Sequence, residues 1–165
     1  MVASARSSVS MLEALDRARP RFTDLLRAVD DPTRPAIGIW TIRDVAAHVA
    51  TNWEAYGEFL AGRGPRLDDI FDHPQAMDEM AKAEPEQDVR VLADRIDAAT
   101  TAWIDAAREL DPNQRVPWYT GDSIPITVRV LAAFQLGDFL LHGYDVARAE
   151  GRPWKLPKDE AALVL

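Results

Sequence analysis

Val128 to Glu150 reads VRVLAAFQLGDFLLHGYDVARAE, an apolar run of helical length carrying Leu131, Phe134, Leu136, Phe139, Leu140 and Leu141. Four polar residues interrupt it: Gln135, Asp138, His142 and Asp145. At ~100° per residue these four fall within a wedge of roughly 80° on one face. A helix apolar around most of its circumference is buried against neighbours, so the wedge is expected to point into a cleft or a bundle interior. A carboxylate placed there needs a counter-charge, a hydrogen-bond network or a metal ion. Asp138 and His142 stand at i and i+4, a spacing that lets two side chains share one ion. The chain has three histidines, and one of the others, His48, sits on a second strongly patterned helix. His48, Asp138 and His142 together read as a three-ligand metal site. Taken singly, each has a plainer reading: a half-buried histidine bonded to backbone, or a structural Asp–His pair.

Upstream, residues 8 to 30 set Met11, Leu12, Leu15, Ala18, Phe22, Leu25, Leu26 and Val29 on a helical stripe. Pro20 lies inside that stripe and is expected to kink or split it. Trp40 precedes Thr41-Ile42-Arg43-Asp44, a threonine N-cap with an acid three residues on. The helix that follows is expected to run to about Leu60, where Gly62 and Gly64-Pro65 stop it. Residues 65 to 84 are acidic and irregular and read as a loop with at most a short helical turn. A third helix is expected from Pro85 to Leu110, with Val89, Leu92, Ile96, Ala99, Trp103, Ala106 and Leu110 inward. Residues 114 to 124 read as a loop or short extended piece, and LPKDEAALVL as the start of another amphipathic element. Four main helices with short connections predict an all-α antiparallel-type bundle in one domain over residues 1–165.

A length of 165 residues suits one domain with a sizeable core. A net charge of -8, with no basic cluster, argues against a nucleic-acid surface. No apolar run reaches the ~20 residues a bilayer requires, and MVASARSSVS lacks a signal peptide's apolar core. The expected setting is the cytoplasm. There is no cysteine, which excludes disulfides, thiolate-bound zinc and a cysteine nucleophile, so any thiol chemistry needs a thiol from outside. Gly-rich phosphate loops, G-x-S-x-G elbows and HExxH motifs are all missing from the sequence.

Trp40 to Ala50, WTIRDVAAHVA, resembles the W-[ST]-x-x-D-[VL]-x-x-H signature of the DinB/YfiT-like superfamily. Leu136 to Trp154, LGDFLLHGYDVARAEGRPW, resembles the E-x-x-x-H-G-[WY]-D-[LV]-A-x-A-x-G segment of its mycothiol-dependent maleylpyruvate isomerase N-terminal branch. The resemblance implies a four-helix bundle holding a divalent metal, usually zinc, through His, Glu and His, with open positions facing a pocket. The first histidine matches His48 and the last matches His142. The glutamate position is Asp138 here, one methylene shorter. Isomerases of this family carry a C-terminal domain that contributes to substrate handling, and the present chain stops where that domain is expected.

Two functions follow as expectations. One is a metal-dependent enzyme, with zinc at its centre, that carries out thiol transfer or thiol-assisted isomerisation of a small molecule with mycothiol or a related thiol. The other is a non-catalytic, stress-related or partner-binding bundle with a structural or vestigial site. Asp145 either orients a ligand or pairs with Arg43 or Arg148. Gln135 and Asn52 either line the pocket or are satisfied core amides. Trp53, Tyr56, Trp103 and Trp118 are pocket walls or plain core, and His73 beside Asp68, Asp69 and Asp72 either binds a cation or belongs to a solvated loop, the second being the plainer reading. Apolar residues outside the wedge leave a homodimer and a monomer both open.

Overall fold

The computed structural model describes residues 10–164, and the expectations for residues 1–9 lie outside it. Helix α1, Met11–Arg27, opens on Ser10 with a reciprocal capping box: Glu13 N donates to Ser10 Oγ (3.2 Å) and Ser10 N to Glu13 Oε2 (2.9 Å). It runs through Pro20 as one element, so of the expected kink or split the split does not occur. Pro20 is exposed, so the carbonyl its missing N–H leaves free faces water rather than the core.

A short hairpin follows, β1 (Pro35–Ile37) and β2 (Trp40–Thr41), which the sequence had not suggested. Gly38 turns it with a φ of 56°, and Trp40 is thereby delivered to the start of the next helix. Helix α2, Ile42–Leu60, has the expected bounds, with Thr41 and Asp44 forming its capping box. After a single 3-10 turn at Ile70–Asp72 comes α3, His73–Ala83, in place of the expected loop. Pro74 in its first turn is pre-set for helix. Its apolar stripe is thin, with Met77 and Ala81 its buried residues. Arg43 fastens its end to α2 by donating to the carbonyls of Ala81 (2.9 Å), Glu84 and Glu86 (2.7 Å).

Helix α4 spans Val89–Arg108, four residues later than expected at its start. Asp88 caps it by accepting from Arg90 N at 2.9 Å, while Pro85 disfavours helix in the residue before it. Strands β3 (Arg115–Trp118) and β4 (Gly121–Thr127) make a second antiparallel hairpin where an extended piece was expected. Helix α5, Val128–Ala149, is the polar-wedge helix, and α6, Lys158–Val164, completes the described chain.

The fold is therefore mostly helical with two small strand pairs. The four long helices pack as a closed ring, α1 against α4 and α5, and α2 against α4 and α5. Inside that ring Trp53 stacks on Phe139 (5.2 Å between centroids), which also meets Phe22 (5.3 Å). Trp103 packs edge-on to Trp53 at 6.0 Å and donates its indole N–H to the Tyr56 carbonyl. Each such side chain removed from water contributes about 1.5–3 kcal/mol, and this aromatic cluster holds α2 and α5 in the register that the polar residues require. No helix is long and apolar enough to cross a membrane among the described residues.

Candidate metal centre

Helix α2 presents His48 and Asn52 one turn apart, and α5 presents Asp138 and His142 one turn apart. One ligating atom from each of His48, Asp138 and His142 lies within 4.8 Å of the other two. The two imidazoles meet nearly perpendicular, with centroids 5.1 Å apart. Trp40 covers them, 4.9 Å from His48 and 6.5 Å from His142, and its indole N–H is anchored on Asp78 at 2.7 Å.

Electrostatically the cluster is rich in acceptors and poor in donors. The Asn52 amide nitrogen lies 3.2 Å from His48 Nε2 and donates to Asp138 Oδ2 at 3.4 Å. The Asn52 carbonyl accepts from the Tyr119 hydroxyl at 3.1 Å. His48 is buried, and that burial, reinforced by His142 and His73, pulls it down to about 3. It is thus a neutral imidazole at neutral pH. Desolvation raises Asp138 above the ordinary carboxylate value, against the opposing pull of His142 and Asn52. Among the described residues no Lys or Arg pairs with it. His48 Nδ1 and His142 Nδ1 are buried without a hydrogen-bond partner. Asp145 lies 3.5 Å from His142 Nδ1, a distance suited to orienting that ring. Its two suggested arginine partners are engaged elsewhere, Arg43 on the carbonyls after α3 and Arg148 on the Ala36 carbonyl at 2.6 Å.

These residues fit a divalent ion. Two imidazoles and a carboxylate are the donor set of an open zinc-type site, and a carboxylate in a cleft without a cation is costly until one arrives. At Zn–N distances of ~2.0–2.1 Å, tetrahedral ligand atoms sit roughly 3.3–3.5 Å apart. The donor atoms, within 4.8 Å of one another, would draw closer around an ion.

A cavity of about 660 Å³ opens beside the cluster, and Asp138 belongs to its wall with Tyr56, His73, Trp118, Phe134 and Leu141. The family model of the mycothiol maleylpyruvate isomerase N-terminal domain matches residues 15–147. The chain belongs to the mycothiol maleylpyruvate isomerase N-terminal domain family. That metal-binding, mycothiol-related family is matched across both helices that build the centre. No curated protein and no solved structure matches the chain.

Some residues at this family member's centre had no clear signal in the sequence. Tyr119 reaches Asn52 across 67 positions, too far for any local pattern. His73, taken for part of a solvated loop, is half-buried between Trp118 (5.5 Å) and Tyr119 (4.8 Å). Trp53 and Trp103 belong to the core, whereas Tyr56 and Trp118 face the cavity. Gln135 is fully buried, and neither of its amide atoms is bonded, so it is no satisfied core amide.

Proposed function

We propose that this protein is a metal-dependent enzyme acting on a small molecule, in which His48, Asp138 and His142 hold one divalent ion, zinc on the character of the donors. In this reading the four long helices form the bundle of DinB-like proteins, and the reaction is thiol transfer or thiol-assisted isomerisation. Mycothiol or a related low-molecular-weight thiol is the cofactor, and hydrolysis is the nearest variant. We infer a cytoplasmic setting, where such thiols are kept reduced.

The observation that carries the reading is the meeting of three metal-type donors from two helices within 4.8 Å, with the carboxylate lacking a cationic partner among the described residues. With three protein ligands, a bound ion keeps a position open and supplies Lewis acidity that lowers the pKa of a thiol or water there. The chain's own residues do the rest. Depressed basicity keeps His48 unprotonated, Asn52 spans two of the three donors, and Trp40 shields the imidazoles from water. The sequence holds no cysteine, so no thiol of the chain competes for the ion.

Elemental analysis of untagged protein tests the proposal. About one equivalent of divalent metal is expected, and it should be lost in His48→Ala and in His142→Ala while helix content is retained. Wild-type protein that neither carries nor takes up zinc would overturn it.

A further inference from the structure

The cavity beside the centre, about 660 Å³, has the size of a small-molecule site. Its walls are apolar: Trp118 from β3, Phe134 and Leu141 from α5, and Leu156 and Val164 from the region of α6. Besides Asp138, its polar lining is His73 and Tyr56. Burial pulls His73 below its ordinary value and pushes Tyr56 well above its own, so neither is charged at neutral pH. No Lys or Arg belongs to the wall among the described residues. Arg43 and Arg148 are engaged on backbone carbonyls. The formal charge of the whole chain is -8.

A bound dicarboxylate needs the forked donors of arginine or an equivalent cation. Without one, each carboxylate entering an apolar wall loses its hydration uncompensated. We propose that this cavity takes an uncharged, predominantly apolar small molecule and discriminates against dicarboxylates. The inference deepens the metal-dependent reading, since Asp138 joins the cavity to the donor cluster, but the preference itself belongs to the walls. His73 and the Tyr56 hydroxyl give a neutral ligand one donor–acceptor pair to orient against, and Trp118 and Phe134, 5.8 Å apart, give its rings a face.

The test compares two aromatic probes of one shape, naphthalene dimethanol and naphthalene dicarboxylate, by calorimetry on the full chain as purified and again after chelator treatment. The diol is expected to bind the chelator-treated protein at least roughly tenfold more tightly than the dicarboxylate. Leu141→Arg should narrow or invert that ratio. Leu141 is 64% exposed, so the change spares the core, which circular dichroism checks. Equal or tighter dicarboxylate binding by the chelator-treated wild type overturns the proposal, and so does failure of both probes to bind. A wild-type dimer that Leu141→Arg converts to monomer, with no probe bound, overturns it in favour of a second copy covering this face. Loss of the metal reading alone would show in elemental analysis and leave the probe ratio unchanged.

Discussion

Tyr119 donates its hydroxyl proton to the side-chain carbonyl of Asn52 across 3.1 Å. That bond fixes which end of the amide faces His48 and Asp138, because the carbonyl end is already taken. Burial, with Asp138 adding to it, raises the Tyr119 hydroxyl well above its ordinary value, so it remains a donor throughout the physiological range. Asn52→Ala is expected to weaken zinc binding by about 10–100-fold, and Tyr119→Phe by less, in a competition titration against a chromophoric chelator. Unchanged affinity in both variants would remove this pair from the support of the centre.

Asp138 has the shortest side chain that can carry a carboxylate, and the donor atoms spread over as much as 4.8 Å. One more methylene shortens the gap that the ion must close. Asp138→Glu is therefore expected to keep one equivalent of metal with affinity equal to or above wild type, whereas Asp138→Ala loses it. A glutamate variant that fails to hold metal while remaining folded would count against Asp138 as a ligand.

Asp78 links α3 to the centre through Trp40. Its carboxylate accepts from Lys82 Nζ (2.6 Å) and from the Trp40 indole (2.7 Å), and these bonds, Lys82 first, hold its pKa below the ordinary 3.8. A depressed carboxylate pKa stabilises the fold above the unfolded value, and that contribution fades as pH falls through the folded value. Asp78→Ala should lower the melting temperature near neutral pH, and the gap to wild type should shrink below about pH 3.8. A gap that is constant from neutral pH to pH 3 would show that the carboxylate's charge is not what anchors Trp40.

Gly143 sits where Trp154 crosses α5, and a Cβ there would lie 2.1 Å from the indole ring. The ring is held by its N–H to the Leu140 carbonyl at 3.0 Å. In an open helix Gly→Ala gains about 1 kcal/mol. Here the collision reverses the sign, and Gly143→Ala should destabilise by about 1–3 kcal/mol in urea unfolding. Repeating it in a Trp154→Ala background should erase most of the loss.

Gln135 is buried with both amide atoms unbonded, a cost of about 1–3 kcal/mol. Gln135→Met has nearly the same shape and is expected to raise stability by about 1 kcal/mol. A fall in stability instead would show that the amide is satisfied in solution.

How much of this was legible in the chain follows from where each signal resides. Helix α2 could be bounded closely because both marks are local: Thr41 with Asp44 at one end and the Gly62/Gly64 stop at the other. The donor trio was legible because two of its members share one helical face and histidines are scarce. Helix α3 was missed because only Met77 and Ala81 are buried on it, too few to make a stripe. His73 was misread because its acidic sequence neighbours suggested solvent, while its walls, Trp118 and Tyr119, come from a hairpin more than forty residues on. The Pro20 split failed for a three-dimensional reason, since only the exposure of that turn makes a lost N–H tolerable.

Asp138 has membership in two places at once, as a donor in the trio and as part of the cavity wall. Whatever occupies one therefore alters the free energy of filling the other. Linkage makes that influence reciprocal: a cation that sharpens or weakens ligand affinity must have its own affinity changed by the same factor. Cation titrations with and without the naphthalene diol would measure that factor directly, with no turnover required.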